Sequence, residues 1–462
     1  MQKQDTIIAM ATPNGSGAIG VIRISGINTI AIVAPFFKSI KGKNLTTQKS
    51  HSILLGHIVE SKKIYDQVLV SIFKNPNSYT GEDVIEISCH GSPYIQQQII
   101  QLFLKNGCRM ANAGEFTLRA FLNGKLDLSQ AEAVSDLIAS TNEASHQIAI
   151  QQMRGGFSNE IKTLREELLN FASLIELELD FSEEDVEFAN REQFIDLLSR
   201  IQKVLSSLID SFAMGNVIKN GIPVAIIGEP NVGKSTLLNA LLNEEKAIVS
   251  SIAGTTRDAI EDELTIKGIG FRFIDTAGIR KTDDVVENIG IQKTYEKIAQ
   301  AQVITYLFDA TEFQVLGSRF QTEIEKIKNE YPQKPLLIIA NKTDKLSPKE
   351  ISNIKSQIPD LQILSAKTGE GVEELKNKLL EFVNTGALHS NEVIVTNSRH
   401  YDALIKALSA IEKVKFGMDD GLSSDLMAID LKEALFHLGE ITGQVTNDEL
   451  LGNIFANFCI GK

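Results

Sequence analysis

The sequence predicts a multidomain chain that combines α/β and all-α parts, with a doubly wound sheet set between two helical stretches. Three observations predict it. The glycine-containing loop Gly228-Glu229-Pro230-Asn231-Val232-Gly233-Lys234-Ser235-Thr236 follows the apolar run Val224-Ala225-Ile226-Ile227 and opens a helical run to Leu242. Two further apolar runs, 335–340 and 362–364, each end in a polar motif. Continuous apolar runs of that length are those of strands buried on both faces, and ligands meet such sheets at the strand ends. Helical periodicity stands on either side of this region, over 161–179 and from Ser398 onward.

The loop matches the G-x-x-x-x-G-K-[ST] pattern in its strand–loop–helix context. Its glycines let backbone N–H groups turn onto phosphates, and the helix N-terminus adds a favourable field. Asn231, Val232, Gly233 and Thr236 line the cradle, Lys234 reaches the β- and γ-phosphates, and the Ser235 hydroxyl ligates Mg²⁺. The base is specified further along, at Asn341-Lys342-Thr343-Asp344. A carboxylate at Asp344 accepts hydrogen bonds from guanine N1–H and the exocyclic amine, and adenine presents no such pair of donors. Ser365-Ala366-Lys367 is placed to close the guanine pocket through backbone N–H groups. Between them Asp275-Thr276-Ala277-Gly278 supplies a carboxylate that holds Mg²⁺ through water and a Gly278 N–H for the γ-phosphate. These pieces in this order predict a Ras-like GTP-binding domain over residues 216–382.

Its switch segments depart from a Ras-type enzyme. Ile279 stands where a water-orienting glutamine is expected, so hydrolysis must draw on other groups. The first switch is read at Ser250-Ser251-Ile252-Ala253-Gly254-Thr255-Thr256, with Thr256 the natural ligand of Mg²⁺ and the γ-phosphate. Asn231 and the carbonyls of that segment suit a monovalent cation, which takes oxygen donors. The charged stretch 280–287 reads either as a solvated loop or as the source of an acid that places water.

The remaining chain is read in order. Residues 1–119 mix strands and helices: 6–11, 19–26 and 84–91 are strands, and Thr12-Pro13-Asn14-Gly15-Ser16-Gly17 is a glycine-rich turn. Glu86 lies on one face of its strand, facing solvent or a ligand, and His90 reads as structural, with no partner nearby in sequence. Residues 120–215 are helical; Ser129 and Glu132 suggest a capping box, the stripe Leu164, Leu168, Phe171, Ile175, Leu179 a long helix, the run from Phe194 to about Met214 a third, and Gly215 with Lys219-Asn220-Gly221 a linker. Helices resume over 383–462, which suggests one helical domain divided by the inserted module. No apolar run reaches a membrane span, and no basic-then-apolar leader opens the chain, so a cytoplasmic protein is expected. Three unclustered cysteines fit a reducing compartment and argue against a disulfide frame or zinc site. A net charge of −13 argues against broad nucleic-acid binding through surface charge alone.

Several stretches outside the GTP motifs carry a family resemblance over essentially the whole chain. They are Asp5-Thr6-Ile7-Ile8-Ala9, Tyr79-Thr80-Gly81-Glu82-Asp83, the run from Gly114 to Leu128, and the terminal Cys459-Ile460-Gly461-Lys462. On these the chain resembles the tRNA-modification GTPases of the MnmE (TrmE) family. The resemblance implies an N-terminal α+β tetrahydrofolate-binding domain that forms a homodimer, a helical domain, and a potassium-stimulated GTPase inserted into it. It also implies an FAD-dependent partner, MnmG, in a heterotetramer that modifies carbon 5 of the wobble uridine of certain tRNAs. The one-carbon unit of 5-formyl-tetrahydrofolate or a related folate would become the methylene of an aminomethyl or carboxymethylaminomethyl group. By position, the family's folate contacts fall on Arg23, Glu86, Lys125 and Lys462, its potassium ligands on Asn231, Ser250, Ile252 and Thr255, and its catalytic acid on Glu287. Cys459 stands open between a nucleophile and a small residue shaping the pocket. The competing function is a ribosome-assembly GTPase, a switch with no modification reaction; it usually carries a basic RNA-binding appendage or a second GTPase module, and this chain shows neither.

Overall fold

The computed structural model describes residues 5–180, 191–243, 262–274, 297–382, 393–420, 422, 424–456, 458 and 461. They fall into two compact units. One draws on 1–139, 149–206 and 402–462; the other draws on 140–148 and 207–401.

The first unit contains a seven-stranded sheet built from β1 (Thr6–Met10), β2 (Ile19–Ser25), β3 (Phe37–Ser39), β4 (Ser52–Glu60), β5 (Lys63–Phe73), β6 (Val84–His90) and β7 (Cys108–Met110), in the order β3-β4-β5-β6-β2-β1-β7. Alternation of the strands sends Ile22, Ile24, Val68, Val70, Ile85 and Ile87 into one core, where the helix Pro93–Lys105 covers them with Ile99, Leu102 and Phe103. At the β1 end the opposite face is also covered: Ile7 and Ala9 pack with Phe116 of the helix Glu115–Leu122. That helix starts on Gly114 in the left-handed region (φ +64°), where an added Cβ would lie 2.8 Å from the Phe455 carbonyl oxygen. The C-terminal segment is therefore seated against the start of this helix.

Helical parts from both ends of the chain pack together in this unit. The helix Gly156–Asp180 buries Ile161, Leu164, Leu168 and Ile175, and Arg165 Nε donates to the Leu435 carbonyl of the helix Ser424–Thr442 at 3.2 Å. Lys432 and Glu176 pair between the same two helices. Helices Ser398–Asp419 and Asp448–Ala456 complete the C-terminal part.

Two local expectations need correction. The helix Leu128–Ala139 is capped by Asp127, whose Oδ1 accepts from Gln130 N and Ser129 Oγ while Gln130 Oε1 accepts from Asp127 N. The capping box is therefore Asp127–Gln130, two residues before Ser129–Glu132; Asp127 and Gln130 make the reciprocal bonds, and Ser129 and Glu132 lie buried inside the helix. Gly215 is no linker either, since one helix runs from Arg191 to Asn220. Here glycine serves close packing: a Cβ would stand 2.1 Å from the Val395 carbonyl oxygen, and Val395 N donates to Ser211 Oγ one turn earlier. The acidic stretch 182–187 lies outside the described residues.

The second unit holds a six-stranded sheet of β8 (Ile222–Ile227), β9 (Asp262–Ile266), β10 (Ile269–Phe273), β11 (Val303–Asp309), β12 (Leu336–Asn341) and β13 (Gln362–Ile363), in the order β13-β12-β11-β8-β10-β9. All its pairings are parallel except the β9–β10 hairpin. Its apolar runs divide between two cores. Val224, Ile226, Val303 and Leu307 face one, while Ala225, Ile227, Ile304, Tyr306 and Phe308 face the other. This is the doubly wound arrangement that the sequence predicts, and burial on both faces is why the strands lack alternation.

Candidate functional site

At the end of β8 the chain turns into the phosphate-binding loop and then the helix Lys234–Asn243. Gly228 has φ +143°, and a Cβ there would lie 2.0 Å from the Leu307 carbonyl oxygen, so no other residue fits. Gly233 has φ +101°, with Asn341 Nδ2 2.3 Å from where its Cβ would stand. Asn231 also sits at positive φ (+64°), a conformation asparagine tolerates better than most residues. Lys234 Nζ donates to the loop's own carbonyls at Gly228 (2.7 Å) and Glu229 (2.8 Å), which hold the ammonium within the loop. Burial, with some help from Lys297, pushes this ammonium down to about 8. Ser235 is half-buried and Thr236 exposed at the helix start.

The guanine motif is joined to this loop by its first residue. Asn341, buried at the end of β12, donates through Nδ2 to Val232 O (2.7 Å) and accepts through Oδ1 from Ala366 N (2.9 Å). One side chain thus ties the phosphate loop to the 365–367 segment. Ser365 Oγ in turn donates to Asp344 Oδ1 at 2.7 Å, which fixes the carboxylate expected to read the base. Ser365 N donates to Glu370 O, so two of the three backbone N–H groups expected to close the pocket, those of Ser365 and Ala366, are engaged within the protein. Thr343 is buried, and its N–H donates to Leu364 O at 3.4 Å.

Lys342 stands in the left-handed region (φ +66°), and its ammonium meets Asn231 O at 2.8 Å and Asp309 Oδ2 at 2.6 Å. Asp309 is absent from the sequence-based site. Its signal was a lone carboxylate ending the apolar run 303–308, next to the base motif once β11 and β12 pair. Burial alone would raise its pKa, but hydrogen bonds from Lys342 and Thr311 hold it below the usual carboxylate value.

The other expected members of this site, Ser250, Ser251, Ile252, Ala253, Gly254, Thr255, Thr256, Asp275, Thr276, Ala277, Gly278 and Glu287, lie outside the described residues.

In the first unit, pairing of β2 with β6 sets Arg23 opposite Glu86. Arg23 Nε donates to Glu86 Oε1 at 2.9 Å, and Nη2 approaches the same oxygen at 2.8 Å. The guanidinium lies 5.3 Å from the Tyr79 ring centroid and 5.6 Å from that of Phe116. Its Nη1 reaches the Gly461 carbonyl at 3.5 Å, and Gly461 (φ +101°) has no room for a Cβ, which would meet Met10 O at 1.9 Å. The chain terminus is thereby brought to the same sheet face. Lys125 packs on the 79–83 segment: its Cε lies 3.3 Å from a Cβ built on Gly81, while Asn123 Nδ2 donates to Thr80 O. Lys462 and Cys459 lie outside the described residues. Glu86 is therefore an ion-paired group and not a merely solvated one. His90 has a partner that its sequence neighbours do not supply: Asp66, distant in sequence, lies 2.7 Å from its Nδ1.

The stretches that carried the resemblance form a closed charge network beside this face. Asp5 pairs with Arg109 (2.8 Å) and Arg119 (2.7 Å); Glu115 pairs with the same two arginines at 2.6 and 3.1 Å; Glu82 adds a third carboxylate at 3.1 Å from Arg119. The Arg109 hydrogen bond leads in holding Asp5 low; burial alone would raise Glu115, but the two arginines and Asn112 N outweigh it and hold that carboxyl low as well. The two remaining cysteines, Cys89 and Cys108, are buried, and desolvation pushes their thiols to about 11 and about 12, so both are unreactive.

Known proteins resemble this chain over its full length. A family model described as the MnmE helical domain matches residues 128–459, and one described as GTP-binding protein TrmE N-terminus matches 6–125. A tRNA modification GTPase MnmE of Flavobacterium psychrophilum is 72% identical over 458 residues, 99% of each chain. The chain belongs to the MnmE family of tRNA modification GTPases. Family proteins of the same name from Flavobacterium johnsoniae, 72% identical over the whole of both chains, and from Bacteroides fragilis, 52% identical over 99% of this chain and all of the relative, agree. A solved FeoB G-domain from Methanococcus jannaschii is 26% identical, covers 35% of this chain and 97% of its own, and has a TM-score of 0.24. Among the described residues no helix is long and apolar enough to cross a membrane.

Proposed function

We propose that this chain is a potassium-dependent GTPase that works with an FAD-dependent partner to modify carbon 5 of the wobble uridine of certain tRNAs, using a tetrahydrofolate one-carbon unit. The observation that carries the GTP half is the placement of Asn341, which joins the phosphate loop at Val232 to the Ser365–Ala366 segment that fixes Asp344. Lys234 and the loop amides hold the phosphates, Asp344 reads guanine, and Ser235 with Thr256 holds Mg²⁺. Glu287 places the attacking water. Ile279 offers no water-orienting group, so positive charge at the β- and γ-phosphates must come from elsewhere. Oxygens of Asn231, Ser250, Ile252 and Thr255 are the donor type a potassium ion takes, and Asn231 is held at φ +64° with its carbonyl tied to Lys342.

For the folate half, Arg23, Glu86, Lys125 and Lys462 are the contacts. The ion pair beside the Tyr79 and Phe116 rings suits a flat heterocycle with a hydrogen-bonding edge and an anionic tail. When bound, the folate supplies the one-carbon unit. The chain orients it through that pair and through the terminus held at Gly461. Along the chain the parts are the folate and dimerisation domain 1–119, the helical domain 120–215 and 383–462, and the GTP-binding domain 216–382. The protein is cytoplasmic and acts as a homodimer within a heterotetramer.

Two measurements test the reading. Turnover at fixed ionic strength should rise strongly in potassium over sodium, on the order of the 10³–10⁵-fold worth of an arginine finger at the upper limit. Equal rates in the two salts overturn the cation role. Nucleoside analysis of tRNA from a deletion strain should show the carbon-5 modification missing at the wobble position, and intact modification overturns the function.

A further inference from the structure

We propose that Asp309 is a positioning residue of the nucleotide site, which acts through Lys342 to hold the phosphate loop in its binding conformation. The inference rests on the GTP reading above. Parallel pairing of β11 with β12 sets Asp309 beside Asn341, so the last carboxylate of one strand stands next to the base motif of the other. The Asp309 side chain is 9% exposed, and both of its oxygens are engaged. Oδ1 accepts from Thr311 N (3.0 Å) and Thr311 Oγ1 (2.7 Å), which caps the short turn Ala310–Glu312. Oδ2 takes the Lys342 ammonium at 2.6 Å.

That ammonium is shared. It also donates to the Asn231 carbonyl at 2.8 Å, and both Lys342 (φ +66°) and Asn231 (φ +64°) sit in backbone conformations that need support from their surroundings. Without a fixed anion behind it, a lysine head group samples several rotamers and holds a carbonyl weakly. With Asp309 in place, the ammonium is a rigid link between the guanine motif and the residue whose side chain is a proposed cation ligand. Base binding and loop geometry are then coupled through one half-buried ion pair.

Asp309→Asn separates this role from turn capping, because asparagine is as good a cap as aspartate and keeps the acceptor that faces Thr311. It removes the charge facing Lys342. Dissociation of a fluorescent GDP from the full-length chain with Mg²⁺ is the readout that needs no turnover. D309N should speed it by on the order of ten-fold, the worth of a hydrogen bond to a charged group. In a double-mutant cycle, D309N should add nothing once Lys342→Met has removed the ammonium. D309E, which keeps the carboxylate, should recover part of the loss. The potassium concentration for half-maximal turnover should also rise in D309N. A wild-type dissociation rate in D309N, or effects of D309N and K342M that multiply, overturns the inference. Failure of the wild type to bind GDP would instead overturn the GTP reading itself.

Discussion

The two candidate sites of this chain are built in opposite ways. The nucleotide site is assembled from short motifs at the ends of neighbouring parallel strands, and many of its described contacts engage backbone carbonyls and amides, Gly228 O, Glu229 O, Asn231 O, Val232 O and Ala366 N, beside the side-chain pairs Ser365–Asp344 and Lys342–Asp309. The sheet-face site depends on side chains from distant segments, Arg23 with Glu86 across a strand pair, Tyr79, Phe116 and the terminal Gly461. Its framework is the network of Asp5, Glu82, Arg109, Glu115 and Arg119, whose charges are partly or wholly removed from water. A site made of backbone is rigid once its strands pair and its glycines turn. A site made of charged side chains holds only while every partner is present, since a buried ion that loses its mate costs more than the pair ever contributed.

That difference is broken most sharply at Arg119. Arg119→Met should destabilise the first unit by about 3–5 kcal/mol, because partly buried Glu82 loses its counter-ion and Asp5 and Glu115 are left to share Arg109. Denaturant unfolding should show an early transition and loss of folate binding, with GTP binding kept. A shift of less than about 1 kcal/mol would make the network an ornament of the surface. The reverse substitution is Asp344→Asn, which should weaken GTP by about 2–4 kcal/mol through unpaired groups and make xanthosine triphosphate the better ligand. Folate binding should be unchanged, and equal GTP affinity in variant and wild type would remove Asp344 from base recognition.

A smaller effect sharpens the electrostatic side. Lys234 is held at about 8 by burial, and phosphates restore the charged form on binding. The sign follows: above about pH 8 the free protein holds a neutral amine, so binding takes up a proton and affinity falls by at most ten-fold per pH unit. Calorimetry in buffers of different ionisation enthalpy should detect that uptake at pH 9 and not at pH 6.5. No uptake at the higher pH would mean that Lys234 stays charged in its carbonyl cradle.

The GTP-binding sheet was legible because its signals are local. Runs such as Val224–Ile227 and Leu336–Ala340 read as buried strands, and the polar groups that end them fall at one edge of the sheet whatever the details of packing. Glycines at 228 and 233 were legible for the same reason, since a loop that turns its amides inward requires them. Capping and the Gly215 break were misread because each has two local solutions. Asp127 and Ser129 both offer a capping oxygen, and glycine serves a turn or a close approach equally well; contact with the chain at Val395 chose the second.

By itself the sequence determined the order of motifs, the doubly wound sheet, the helical stretches on either side of it and, through the resemblance, the family. Tertiary structure alone decided which charges meet. Asp5 finds Arg119 across 114 positions, His90 finds Asp66, and Asp309 finds Lys342, because strand pairing and helix docking bring them together. Periodicity and propensity report only what neighbours a few residues apart require. The partner of a charge is set by the path of the whole chain, and so the ion pairs that hold both sites in shape became visible only with the fold.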